Sequence, residues 1–281
     1  MNINYKNTWI YILNVLIFMA KRKPKYIQED YEIQIEIDRA MSSSRRTDQK
    51  TNFNPYNFKI KSSLKTDKQK EMHDAILNPD NRIIFVKGYP GTGKTYVAIM
   101  AALQLLQNDN EIGRITFTKD FVEASRSMGL LPGTLEEKSK PLYRSFYDCL
   151  GKILPENYIN YFIENKVITN EILSYMRGVT LGDTDPHSGK ETGVVAILDE
   201  AQNLDVKNMY LYLSRLGTNS KMIILGDSMQ RDIKVSGRDG LEDSFERLSG
   251  LKGVAFVEFE YTDVVRDKFL VDIFERYINV I

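Results

Sequence analysis

From about residue 64 onward, short apolar runs alternate with longer stretches whose apolar residues recur at helical spacing. The short runs are Arg82–Lys87 (RIIFVK), Arg114–Thr118 (RITFT), Val194–Leu198 (VVAIL), Lys221–Leu225 (KMIIL) and Val254–Phe259 (VAFVEF). Their near-continuous hydrophobicity is the pattern of strands covered on both faces. Between them the spacing predicts helices over Thr66–Leu77, Lys94–Gln107, Phe121–Met128, Thr134–Leu154, Tyr158–Asn165, Glu171–Met176, Gly240–Leu248 and Asp267–Ile278. A further helix is capped by Asp205 and closes at Gly217. Thr66 or Asp67 caps the first helix, Leu131-Pro132-Gly133 reads as a turn, and Thr134 with Glu137 has capping-box spacing. Apolar strands alternating with helices predict an α/β fold: a parallel five-stranded sheet sandwiched by helices.

The first third of the chain lacks this regularity. Residues 41–57 (MSSSRRTDQKTNFNPYN) are polar and read as a linker or loosely ordered arm, and YEIQIEID at 31–38 alternates like a strand. Residues 1–63 are therefore expected to be a short N-terminal extension, partly flexible, ahead of a domain over 64–281. Thr8–Ala20 (TWIYILNVLIFMA) is an apolar run followed by Lys21-Arg22-Lys23-Pro24-Lys25. It is shorter than the ~20 residues a membrane span needs. It also lacks the small-residue cleavage site of a signal peptide. A translation start at Met19 is the favoured expectation over an anchor, so no membrane partner is expected.

Composition adds little. The 281 residues carry 38 Lys/Arg and 38 Asp/Glu, so no global positive field points to nucleic acid. The balance is uneven: residues 1–82 hold 15 basic and 10 acidic residues, a net +5, leaving −5 over 83–281. The single cysteine, Cys149, reads as a small buried helical residue and fits a reducing, cytoplasmic setting.

The chemistry sits at the ends of the strands. Gly88-Tyr89-Pro90-Gly91-Thr92-Gly93-Lys94-Thr95 matches the Walker A pattern G-x-x-x-x-G-K-[ST] between a buried strand and an apolar helix. Such a loop turns its N–H groups inward around phosphates, and the following helix adds its positive end. Lys94 is then placed for the β- and γ-phosphates and Thr95 for Mg2+. Val194–Leu198 runs into Asp199-Glu200, a Walker B arrangement at the carboxyl end of a strand, where open α/β sheets bind ligands. Asp199 is a candidate magnesium ligand and Glu200 a candidate activator of the attacking water. Lys221–Leu225 delivers Gly226-Asp227-Ser228-Met229-Gln230 to the same edge, and Gln230 is a candidate γ-phosphate sensor. For the charge that develops on the γ-phosphate, the candidates are Arg266, ranked first, then Arg231, Arg238 and Arg215. Together these define a P-loop NTPase fold of the RecA-like type with ATP and Mg2+ as expected cofactors.

In this order the motifs resemble the PhoH-like family of ATPases, whose core is related to superfamily 1 helicases. ILDEAQN at 197–203, in which Gln202 continues the acidic motif, GDSMQ at 226–230 and VEASRSMGLLPGTLEEK at 122–138 carry the resemblance, together with SRLG at 214–217 and TDVVRD at 262–267. It covers about residues 64–278. It implies an ATP-binding, ATP-hydrolysing core, RNA or single-stranded DNA as partner, and a ring-shaped homo-oligomer. Gln69 is similar to the upstream glutamine that reads adenine in helicase-like proteins. The chain departs from the family in a polar insertion, 183–192, whose His187 reads as loop surface. The stretch after Gln230 is also short, which puts arginine roles for Arg231 and Arg238 in doubt. Two readings stand beside nucleic-acid-coupled hydrolysis: a P-loop kinase for a small acceptor, and a nucleotide-gated binding module with little turnover. The acidic pair and Gln230 suit water as the acceptor. A complete helicase of this class needs two motor domains, so strand separation by a single copy is not expected.

Overall fold

The apolar runs do become strands, and a polar one joins them. The computed structural model describes residues 56–61, 63–120, 140–184, 191–227 and 238–277. In chain order the elements are α1 (Asp67–Leu77), β1 (Ile83–Gly88), α2 (Lys94–Asn108), β2 (Ile112–Lys119), α3 (Arg144–Ile153), α4 (Glu156–Glu164), β3 (Ile168–Ile172), β4 (Asp183–Thr184), β5 (Glu191–Leu198), α5 (Val206–Leu213), β6 (Lys221–Gly226), α6 (Gly240–Arg247), β7 (Val254–Phe259) and α7 (Phe269–Tyr277). Six strands run parallel in the order β3-β2-β5-β6-β1-β7, and the two-residue β4 pairs antiparallel with the start of β5. The expected helices and turn between 121 and 139 and the strand at 31–38 lie outside the described residues.

The strand count is six rather than five because of β3. The spacing predicts a helix over 171–176, but Ile168–Ile172 pairs with β2 and only Leu173–Tyr175 form a short 3-10 turn. Only the two end residues of β3 are buried, so its middle, Thr169-Asn170-Glu171, carries no apolar signal. An edge strand needs none, because pairing on one side meets its backbone groups and solvent covers the rest.

Period-2 alternation explains why the central strands are apolar throughout. Ile84 and Val86 of β1, Val195 and Ile197 of β5, and Ile223 and Leu225 of β6 join a core beneath α1, α2, α3 and α4. The intervening Phe85, Val194, Ala196, Leu198, Met222 and Ile224 pack into a second core with Met209 and Tyr212 of α5 and Leu241 of α6. Each fully buried branched side chain contributes about 1.5–3 kcal/mol, so both faces are needed to hold the sheet. Ahead of α1, Phe58 is buried and its ring meets those of Tyr158 and Phe162 edge-on, while Lys61 N–H donates to the Ile153 carbonyl.

Caps formed where the sequence placed them. The Thr66 hydroxyl accepts from Gln69 N–H, and the Asp205 carboxylate accepts from Asn208 N–H. The far end of α1 is closed by a distant residue. Lys221, buried at the start of β6, donates from Nζ to the carbonyls of Ile76 (2.6 Å) and Asn78 (2.8 Å). Burial lowers its pKa from 10.5 to about 8. Below pH 8 both folded and unfolded chains hold the proton and the burial cost is fully present. Between about pH 8 and 10.5 the unfolded chain binds more protons, so stability rises with pH over that window, by up to about 2–3 kcal/mol. Denaturant unfolding at several pH values should show this rise in the wild type and not in Lys221→Met. Parallel curves for the two would overturn it.

Candidate functional site

The parallel order brings three strand ends side by side. Strand β6 lies between β1 and β5, so the phosphate-loop motif after β1, Gly226-Asp227 after β6 and Asp199-Glu200 after β5 meet at one carboxyl edge. That convergence is a consequence of topology; the two later motifs lie more than 100 residues beyond the phosphate loop in the chain.

The loop's shape depends on two glycines above all. Gly88 has φ +147°, and a Cβ there would lie 2.5 Å from the Phe259 carbonyl oxygen. Gly93, at φ +87°, is the N-cap of α2, and a Cβ there would lie 2.7 Å from Gln69 Nε2. Left-handed backbone and close approach both demand glycine. The loop is braced from two sides. Gln69 donates from Nε2 to the Thr92 carbonyl (2.8 Å) and accepts at Oε1 from Lys65 N–H (2.7 Å). The N–H groups of Val265 and Arg266 both donate to the Gly91 carbonyl, at 3.0 and 3.2 Å. Tyr89 packs its ring against those of Tyr261 and Phe274, which ties the loop to α7.

Inside the loop, Lys94 Nζ donates to the carbonyls of Gly88 (2.5 Å) and Tyr89 (2.9 Å). Burial pushes its pKa down, and the carboxylates of Asp227, Asp199 and Glu200 act against that. The Thr95 hydroxyl donates to Asp199 Oδ2 at 3.3 Å. Burial and the neighbouring Glu200 carboxylate push the Asp199 carboxyl up, while Lys119 and Lys94 hold it down. A hydroxyl and a carboxylate in contact, with charge that needs balancing, are the donor set of a hard divalent cation such as Mg2+. Among the described residues no three His, Cys, Asp or Glu side chains form a metal cage. The remaining ligands would therefore be phosphate oxygens and water, as Mg2+ prefers.

Glu200 has φ +59°, left-handed backbone that a non-glycine residue rarely adopts. Gln202 holds it there. The Gln202 amide is fully buried, donates from Nε2 to Glu200 Oε2 (2.7 Å) and accepts at Oε1 from Asp227 N–H (2.9 Å). One side chain thus locks the acid after β5 to the backbone after β6, which preorganises the carboxylate.

Many of these groups line one cavity of about 860 Å3, while Gly88, Tyr89, Thr92 and Gln202 stand behind its wall. The structure brings Gln69, Pro90, Gly91, Gly93, Lys94, Thr95, Asp199, Glu200 and Arg266 to its wall. It does not bring Arg215 or Arg238 there: Arg215 bonds the Leu211 and Val179 carbonyls, and Arg238 pairs with Asp243 and Glu246. Gln230, Arg231 and His187 lie outside the described residues. Sequence reasoning missed one part of the lining, where Ser145, Asp148, Cys149 and Lys152 of α3 reach the cavity. Their spacing of three and four is a helical stripe, with Phe146, Leu150 and Ile153 buried behind it. The stripe is visible in the sequence; its target is not.

Cys149 is therefore a probe of the site. Burial raises its thiol to about 11, so little thiolate exists near neutral pH and alkylation should be slow there. Iodoacetamide labelling followed by mass spectrometry should accelerate with pH and be suppressed by MgATP. Labelling indifferent to MgATP would remove Cys149 from the nucleotide cavity.

A Walker A loop, its acidic partner and a parallel sheet with helices on both faces define a P-loop NTPase. A family model described as PhoH-like protein matches residues 61–278, and the chain belongs to that family. It is 40% identical over 197 residues to the PhoH-like protein of Bacillus subtilis (strain 168), covering 70% of this chain and 58% of that one. To the PhoH-like protein of Mycobacterium leprae (strain TN) it is 37% identical over 213 residues, 76% and 57% of the two chains. The chain thus spans little more than half the length of these curated relatives. Among solved structures it is similar to the Pif1 helicase from Candida albicans, at 15% identity and a TM-score of 0.35, covering 78% of this chain and 43% of that one.

Proposed function

We propose that this chain is a Mg2+-dependent ATPase whose turnover is coupled to RNA or single-stranded DNA. One observation carries the hydrolytic part: the carboxylate of Glu200, held by Gln202 2.7 Å away, lines the same cavity as Lys94, Thr95 and Asp199. A site that only bound nucleotide would not need a second carboxylate fixed in strained backbone beside the metal ligand. In this reading the loop N–H groups and Lys94 hold the β- and γ-phosphates, and Thr95 and Asp199 hold Mg2+. When bound, that ion neutralises charge on the phosphates. Glu200 orients and polarises the attacking water, and Gln230 senses the γ-phosphate. Arg266 lines the cavity, anchored through its backbone on Gly91, for the charge that develops on the γ-phosphate. Gln69 keeps its second Nε2–H for an adenine edge. Residues 1–63 form an extension to the ATPase domain of 64–281.

The nucleic-acid part and a ring-shaped oligomer rest on the family resemblance, and a cytoplasmic location on the single cysteine; no helix among the described residues is long and apolar enough to cross a membrane. Phosphate release is the test, measured with MgATP alone and with single-stranded RNA or DNA added. The reading expects release that nucleic acid stimulates. Phosphorylation of a small acceptor would replace it with a kinase, and ATP binding without release would leave a nucleotide-gated module.

A further inference from the structure

Two surface stretches contain no carboxylate, in a chain whose charges balance. Residues 172–182 (ILSYMRGVTLG) carry Arg177, and residues 206–221 (VKNMYLYLSRLGTNSK) carry Lys207, Arg215 and the buried Lys221. The fold lays these stretches side by side. Leu181 and Leu216 form a parallel bridge, Leu181 N–H donates to the Arg215 carbonyl at 2.7 Å, and Arg215 Nη1 donates to the Val179 carbonyl at 3.3 Å. Met176 and Leu181 of the first stretch and Met209 and Tyr212 of α5 share the core beneath.

What faces outward is aromatic and basic. Tyr210 is 73% exposed, Tyr175 54% and Val179 44%, three of the large hydrophobic side chains the described surface leaves uncovered. Arg177 and Lys207 are exposed too, and neither has a hydrogen bond or ion pair among the described residues. Two rigid rings with free cations, and no carboxylate in either stretch, suit a chain of stackable bases joined by phosphates. An acidic peptide would match the charge but would leave the rings without a π-face to stack on.

We infer that this surface, Tyr175, Arg177 and Val179 beside Lys207, Tyr210 and Arg215, is the docking platform for single-stranded nucleic acid. The inference rests on the nucleic-acid reading above and gives it a place. Its link to the nucleotide site is short. Helix α5 starts three residues after the 3-10 turn Ala201–Asn203, whose Gln202 holds Glu200. A strand docked on α5 would thus bear on the element that positions the water-activating acid.

The test titrates the full chain into fluorescein-labelled oligo(U) and oligo(dT) of about 20 nucleotides and follows anisotropy. Tyr175→Ala with Tyr210→Ala should weaken binding on the order of 100-fold, while Tyr→Phe at both positions restores it because the rings remain. Arg177→Ala and Lys207→Ala should flatten the salt dependence of binding. ATP-analogue affinity and basal phosphate release should stay unchanged in all of these variants. If the wild type binds oligonucleotide and the double alanine variant binds equally well, this surface is wrong and the coupled-ATPase reading stands. If the wild type hydrolyses ATP but binds neither oligonucleotide, the nucleic-acid reading fails and the platform falls with it, leaving a protein partner for this face.

Discussion

Glu200→Gln is expected to keep nucleotide affinity within about two-fold and to lower turnover by about 10²–10⁴. Glutamine preserves size and leaves an amide oxygen to accept the Gln202 hydrogen bond that now runs to Glu200 Oε2. What disappears is the negative charge proposed to polarise water. In the proposed reading binding involves the loop, Lys94 and the Thr95–Asp199 pair, none of which is altered. Fluorescent ATP-analogue titration and steady-state phosphate release, measured on the same preparation, separate the two effects. Wild-type turnover in the variant would remove Glu200 as the base, and loss of binding with turnover would make it a binding residue instead.

Lys94→Ala should act on the other quantity. The ammonium is buried against the carbonyls of Gly88 and Tyr89 and sits among Asp227, Asp199 and Glu200. Without it, three carboxylates surround the place proposed for a polyanion. Hydrogen bonds to charged groups contribute about 1.5–3 kcal/mol each. Losing two to phosphate oxygens, with the repulsion uncovered, should weaken ATP binding by at least about 100-fold. Equilibrium dialysis or analogue fluorescence reads this directly. Binding undiminished in Lys94→Ala would mean that Gly88–Thr95 is not the phosphate cradle. The pair of variants also discriminates: one breaks chemistry and spares binding, the other breaks binding itself.

Much of the candidate site was legible because its motifs are local. The run Gly88–Thr95 needs its glycines and its lysine within one turn, and Asp199-Glu200 needs only a strand before it. The caps by Thr66 and Asp205 were legible for the same reason, since a cap and its N–H are three residues apart. Strand β3 was not, because an edge strand with a polar middle carries no period-2 signal. The arginine ranking was only partly legible. Arg215 and Arg238 had the right charge, but partners distant in the chain or on the next turn hold them elsewhere.

The sequence by itself determined the fold class, the loop, the two acids and the helix starts, because each is set by residues within one turn or one strand of each other. Only the tertiary structure decided that β6 lies between β1 and β5, and hence that Gln202 can join Glu200 to Asp227. Only it decided that the stripe of Ser145, Asp148, Cys149 and Lys152 faces the cavity, and that two carboxylate-free stretches lie together under Arg215. Those placements depend on which buried faces pack against one another across long separations, and hydrophobic burial has no direction that a local pattern can encode.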